Sequence, residues 1–266
     1  MSMSPYRNLL TEIDRGVGIV TLNRPDRHNA FDDVTIVELI HAFGVFEDDP
    51  AVRAIVVSST GKSFSAGADL TWMQRVAGYD AEENLRDARA LADMLRRVAQ
   101  CPKPVIARVQ GPAYGGGVGL VAACDIAIAT FDVQFALTEV KLGIIPAAIS
   151  PHVIAAIGER HARRYMLTAE RFSASEAYRI GLVHEIVHDE AALDDAIGDL
   201  LEALLKAGPA AQAECKALIG AVAGRPLSEA LVEDTAQRIA RVRGTPEAQE
   251  GMAAFLAKRK PAWMQK

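Results

Sequence analysis

Aromatic side chains are scarce in this chain, at 6% of 266 residues. Cysteine is scarcer. Cys101, Cys124 and Cys215 are odd in number and far apart, which argues against a disulfide framework and suits reduced thiols in a cytoplasmic protein. Long apolar runs are also missing. The longest candidate, residues 119–129, is cut by Asp125, so no membrane span is expected. Residues 1–6 lack a basic start followed by an apolar stretch, so no signal peptide is expected. Positive charge is in deficit: 29 Lys+Arg against 34 Asp+Glu leave a net −5, which disfavours nucleic acid as a partner.

What the chain has instead is alanine. There are 46, and they supply much of the 50% hydrophobic fraction. A core built this way depends on close backbone approach more than on bulky anchors. With 24% charged residues the chain reads as globular, long enough for one large domain or a domain plus an appendage. Charge is unevenly spread. Arg241, Arg243, Lys258, Arg259, Lys260 and Lys266 face only Glu247 and Glu250 in the last 26 residues, a net +4 on an otherwise acidic body. That end is either a local anion site or a set of solvated helix ends complementing their dipoles.

The first 130 residues alternate short strands and helices. Strands are expected at 18–22, 54–58, 105–107 and 125–128. Helices are expected at 32–46, capped by Asp32 or Asp33, at 82–100, and from the glycine-rich 115–123. This alternation implies crossover connections and an α/β fold. After about Ser150 helices dominate, at 150–157, 161–168, 174–180 with Gly181 as C-cap, 190–206, 209–220, 226–242 and 245–259. The expected division is a core over 1–195 and a helical end over 196–266.

Several familiar motifs fail on geometry or spacing. His184-Glu185-Ile186-Val187-His188 matches the H-E-x-x-H of zinc proteases, which needs a helix. Its β-branched interior reads as extended, which would set the histidines roughly 13 Å apart. Gly61-Lys62-Ser63 lacks the upstream glycine of a P-loop, and Gly115-Gly116-Gly117-Val118-Gly119 lacks dinucleotide spacing. No G-x-S-x-G occurs, and no cysteine is evidently paired with a histidine.

Two small-residue loops after buried strands remain: Phe64-Ser65-Ala66-Gly67-Ala68-Asp69-Leu70 and Gly115–Gly119. Each is either a tight packing turn or a source of a backbone N–H aimed at an anion. Together they can supply the two donors of an oxyanion hole for an acyl carbonyl. Asp69 also suits a helix cap. Glu139, in an apolar stretch, is either an acid/base of raised pKa or half of a surface pair with Lys141.

Read in order, Leu22-Asn23-Arg24-Pro25, Asn29-Ala30-Phe31, residues 61–70, Lys103-Pro104-Val105-Ile106-Ala107, residues 115–119, Ala122-Ala123-Cys124-Asp125, residues 139–146 and Glu250 through Lys260 resemble the crotonase (enoyl-CoA hydratase/isomerase) superfamily over nearly the whole chain. The resemblance implies a spiral of ββα units with a helical C-terminal trimerisation region, and a homotrimer or homohexamer. It implies an acyl-CoA thioester substrate and no cofactor beyond the coenzyme A that the substrate carries. The oxyanion donors would be the N–H groups of Ala68 and Gly116. Arg27, His28, Ala30, Ala66, Ala68, Asp69 and Leu70 would lie near the CoA, with Phe255 and Lys258 approaching it from the basic end.

One departure stands out. Hydratases of this superfamily use two glutamates; here the first position is Gly119 and only the second, Glu139, remains. A glycine at 119 is expected to leave extra room. The resemblance therefore implies a hydratase led by Glu139, a one-carboxylate double-bond isomerase, or an acyl-CoA- or RNA-binding relative with little catalysis. The wording of residues 114–125 and 139–147 is most similar to bacterial methylglutaconyl-CoA and isohexenylglutaconyl-CoA hydratases, which points to a branched, carboxylated enoyl-CoA.

Overall fold

The computed structural model describes residues 6–264, so the chain's first five residues and Lys266 of the basic end lie outside it. A hairpin, β1 (Leu9–Asp14) and β2 (Val17–Leu22), opens the fold and is followed by α1 (Asp33–Asp48) and β3 (Ala54–Ser59). Then come α2 (Leu70–Val76), α3 (Ala81–Gln100), β4 (Val105–Val109), β5 (Ala113–Tyr114), α4 (Gly116–Ala123), β6 (Ile126–Thr130) and β7 (Gln134–Ala136). The second half holds α5 (Ser150–Thr168), β8 (Phe172–Ser173), α6 (Ala174–Ile180), β9 (Glu185–Val187), α7 (Glu190–Lys206), α8 (Pro209–Val222), α9 (Glu229–Arg243) and α10 (Pro246–Leu256).

The strands form a six-stranded sheet, β1-β2-β3-β4-β6-β9, antiparallel only at β1–β2, and a small sheet β5-β7-β8. Period-2 alternation sorts the central strands between two layers. Ile55, Val57, Val105, Ala107, Ala127 and Ala129 join the larger core, which includes residues of α1, α3 and α4. Val56, Ile106 and Ile128 point the other way and meet Leu193 and Ile197 of α7. The apolar run of β3 is buried at every residue because both sheet faces are covered. The alanines of β4 and β6 help form the larger core, as close backbone approach demands.

The expected α/β architecture is present, with differences at the edges. Asp32 caps α1, its side chain accepting from Thr35 N, and Gly181 ends α6 in the left-handed region, both as predicted. The helices expected at 150–157 and 161–168 are joined as α5, with a break at Gly158 (φ 72). The helix expected from 226 begins at Glu229, because the Ser228 side chain accepts from Leu231 N and sets the cap there. The last helix stops at Leu256 rather than running to 259, with Lys258 left-handed at φ 52. The division drawn at 195/196 falls inside α7. H-E-x-x-H is extended, as expected: Glu185–Val187 is strand β9, and His184 Nδ1 accepts from Ala127 N at 3.1 Å. No helix among the described residues is long and apolar enough to cross a membrane.

Polar contacts tie the helical end to the sheet region, among them Arg53 Nη2 donating to Ala207 O at 2.7 Å. Lys216 of α8 donates to Asp125 Oδ2 at 2.6 Å, and Asp125 also accepts from Val105 N. Burial pushes the Asp125 carboxyl up, and Lys216 opposes that shift. Lys216→Met should therefore cost about 1–3 kcal/mol, the usual consequence of leaving a partly buried charge without its partner. Urea unfolding at pH 7 measures this, and an unchanged midpoint would refute it.

Candidate active site

The site begins where two backbones touch. Tyr114 N donates to Ser65 O at 2.9 Å, and Phe64 N and Ser65 N both donate to Pro112 O. Glycine is required along this contact. A Cβ at Gly117 would sit 2.5 Å from Ser65 O, and one at Gly111 would collide with the carbonyl oxygen of Lys62. Gly67 has φ 89 and packs against Tyr114 O, where a Cβ would lie at 3.0 Å. The first small-residue loop is thereby held beside the N-terminus of α4.

A second anchor fixes the direction of Ala68. Phe31 N donates to Gly67 O and Asp69 N donates to Phe31 O, a single parallel bridge between Phe31 and Ala68. In such a bridge the N–H of Ala68 points away from Phe31 and is left free of the pairing. Gly116 is the first residue of α4, so its N–H has no acceptor within the helix. Ala68 and Gly116 are the residues whose N–H groups the resemblance offers as donors, and both line one cavity of about 540 Å³.

Asp69 is engaged by the fold itself. It is 4% exposed, caps α2 by accepting from Thr71 N and Trp72 N, and pairs with Arg24 Nη2 at 3.0 Å. Arg24 also reaches Asp32 at 3.0 Å and donates to Ala30 O. In the sequence Arg24 stands out only as part of the Leu22-Asn23-Arg24-Pro25 motif, with no role of its own, yet it braces the loop that carries Ala68. Asn29, buried and left-handed at φ 53, donates to Thr60 O and Ser63 O.

Of the predicted site residues, Ala66, Ala68, Leu70, Gly116 and Glu139 line the cavity together. Arg27 and His28 are exposed on the turn before it, with His28 Nδ1 3.0 Å from Ser63 Oγ. Ala30 is buried. Phe255 and Lys258 lie at and just beyond the end of α10 and are outside this lining.

Glu139 opens a short 3-10 helix ended by Gly143 (φ 74). Its Oε2 is buried without a hydrogen-bond partner, and Oε1 sits 3.0 Å from where a Gly115 Cβ would be. Burial raises its pKa, partly offset by its own backbone N–H. It is not a surface pair with Lys141. A protonatable carboxyl thus shares a cavity with two unpartnered backbone donors, an arrangement that can hold an enolate oxygen and move a proton beside it.

The expected room at Gly119 does not exist. A Cβ there would lie 2.6 Å from Ile149 Cβ and closer still to its Cγ2. Ile149 is 2% exposed and lines the cavity, so the first glutamate of the usual pair is replaced by an apolar wall. Sequence reasoning also passed over Trp72 and Asp87. Trp72 Nε1 donates to Asp87 Oδ1 at 3.1 Å, and both line the cavity.

Three comparisons bear on the site. A family model described as enoyl-CoA hydratase/isomerase matches residues 12–266. The chain is 33% identical over 264 residues to the crotonyl-CoA hydratase of Syntrophomonas wolfei, covering 98% of this chain and 99% of that protein. Among solved structures it is similar to an enoyl-CoA hydratase from Shewanella pealeana, with 43% identity, TM-score 0.95 and 97% of each chain covered. It is likewise similar to Pseudomonas aeruginosa AtuE, with 40% identity, TM-score 0.93, and 97% of this chain and 100% of that one covered.

The tight Gly119–Ile149 fit yields a stability prediction. Gly119→Ala would gain up to about 1 kcal/mol of helix propensity. The clash is with the branched stem of Ile149, not a flexible tip, so overpacking should win at about 1–3 kcal/mol. Thermal unfolding should show Gly119→Ala less stable than wild type, and the Gly119→Ala/Ile149→Ala chain should lose less than the two single substitutions summed. A Gly119→Ala variant as stable as wild type would contradict the packing described.

Proposed function

The chain belongs to the enoyl-CoA hydratase/isomerase family, and from that premise we propose that it hydrates α,β-unsaturated acyl-CoA thioesters, with Glu139 as the acid/base group. The observation that carries the reading is the desolvated Glu139 carboxyl in one cavity with Ala68 and Gly116. The thioester oxygen sits between those two donors, which stabilise the charge that develops there. Glu139 takes a proton from water as the oxygen bonds to the β-carbon. The same carboxyl then returns that proton to the α-carbon, so one water adds across the double bond on one face.

The acyl group we propose is branched and carboxylated, of the 3-methylglutaconyl type. This rests on the likeness of residues 114–125 and 139–147 to hydratases of such substrates. It is supported by the apolar walls Leu91, Ile144, Ile145 and Ile149 and the polar patch at Trp72 and Asp87. The CoA nucleotide is assigned to the surface around Arg27, His28 and Leu70.

The assembly proposed is a homotrimer, or two stacked as a homohexamer, built through residues 196–266. Among the described residues, α8 buries none in the single chain, α9 buries Leu231 and α10 buries Ala254. Leu227, Phe255 and Leu256 stay at least 80% exposed, more apolar surface than a lone chain ordinarily leaves at one end. Phe255 and Lys258 approach CoA in the assembled form. Light scattering should give three or six chain masses, and a single chain mass would refute this.

Crotonyl-, 3-methylglutaconyl- and 3-enoyl-CoA, followed by mass spectrometry, test the activity. A product heavier by one water from a 2-enoyl-CoA is expected; a shifted double bond without added water indicates an isomerase instead. Glu139→Gln should lower kcat by about a hundredfold or more. The ionised carboxylate is the working form, so wild-type kcat/KM should fall as pH drops through the raised Glu139 pKa, and the variant should lack that limb. Near-normal turnover by Glu139→Gln would remove Glu139 from the mechanism.

A further inference from the structure

The cavity contains a second carboxyl that hydration at the oxyanion end does not use. Asp87 projects from α3 into the same lining as Glu139, and its Oδ1 is fixed by the Trp72 indole. Trp72 is itself 6% exposed and Asp87 is half-buried, so the acid is oriented by a side chain fixed in the core. No lysine or arginine is among the residues lining this cavity; its ionisable groups are two acids. A carboxylate on the acyl chain would therefore meet no cation here. The group able to receive it is a carboxyl that brings its own proton.

We propose that Asp87, oriented by Trp72, is the residue that selects acyl chains bearing a distal carboxyl, the two carboxyl groups sharing one proton. Two carboxylates held within hydrogen-bond distance cannot both stay ionised at low cost, so the pair retains a proton that either group alone would lose. The Trp72 N–H occupies Oδ1 and leaves Oδ2 as the proton-bearing atom toward the substrate. The surroundings are compatible with this. Burial is the largest influence on Asp87 and favours its neutral form, and Asp33 of α1 acts in the same direction. Arg75 of α2 and the indole hydrogen bond oppose it. Glu139 lines the same cavity, and Glu83 lies one turn earlier on α3. Neither adds a positive charge that would hold Asp87 ionised.

The proposal rests on the carboxylated-substrate reading above, and its test is separated from turnover by using saturated ligands. Calorimetric titration compares glutaryl-CoA, which carries the distal carboxyl, with butyryl-CoA, which does not. Binding through a shared proton requires proton uptake once pH exceeds the free pKa values, so affinity is full at low pH and is lost as pH rises. Glutaryl-CoA should bind wild type at least tenfold more weakly at pH 8 than at pH 6, relative to butyryl-CoA. Asp87→Asn supplies a permanent donor, so glutaryl-CoA binding should persist and that pH slope should vanish. Asp87→Leu should lower the glutaryl-to-butyryl affinity ratio at pH 6 at least tenfold. A pH-independent wild-type ratio, a slope retained in Asp87→Asn, or a ratio raised by Asp87→Leu would overturn the proposal, the last showing that Asp87 repels carboxylates. If wild type hydrates no enoyl-CoA, the function fails on its own account, and these binding measurements still decide the role of Asp87.

Discussion

Everything at the site depends on two stretches of backbone lying against each other with no side chain between them. Residues 64–68 and 111–117 meet through main-chain hydrogen bonds at about 3 Å, and the positions facing the contact are glycines whose Cβ atoms would strike carbonyl oxygens. Backbone contact at this range is geometrically stiff, which is what oxyanion donors need, because a donor must already point at the place where charge will appear. Arg24 holds the arrangement from behind. Its guanidinium bridges Asp32 at the head of α1 and Asp69 at the head of α2, so one side chain sets the spacing of two helix caps and the loop between them.

Against that rigid pair of donors the acid/base equipment is sparse. One carboxyl, Glu139, is desolvated with an unpartnered oxygen, and the opposite wall is hydrocarbon from Ile149. A lone carboxyl surrounded by apolar walls holds its proton more tightly and meets fewer competing donors. A second carboxyl is present, Asp87, but it sits on a different helix and is held by an indole N–H. The arrangement thus differs from a pair of glutamates: Gly119 carries no acid, and the two carboxyls of the cavity stand on separate elements, Glu139 on a 3-10 turn and Asp87 on α3.

Much of this was legible in the sequence, for reasons that can be located. The central strands announced themselves because burial on both faces writes an unbroken apolar run, as at Ala54-Ile55-Val56-Val57. The helices with polar caps, such as α1 behind Asp32, carried their own start signals. Ala68 and Gly116 were singled out by the resemblance and Glu139 already by its apolar setting, and the structure gathers the three in one cavity. The two- and three-residue strands β5, β7 and β8 were missed because they are shorter than any period that could reveal them. Arg24 was missed because its partner Asp69 lies 45 residues away, a distance over which composition says nothing. Asp87 was missed because an acid on an amphipathic helix looks solvated until the tilt of that helix is known. Gly119 was read as empty because its neighbour Ile149, thirty positions on, was invisible.

That last pairing has a meaning for how such a chain changes over generations. A glycine facing a cavity is ordinarily an open door: any side chain can be tried there. Here Ile149 has bolted it, since even a methyl group at 119 collides with its branched stem. A carboxylate at 119 could be reached only after a smaller residue at 149, a step that opens a void in a buried position and loses stability before anything is gained. The order of the two substitutions is therefore fixed by packing, and what keeps an acid out of position 119 is a barrier in stability rather than in chemistry.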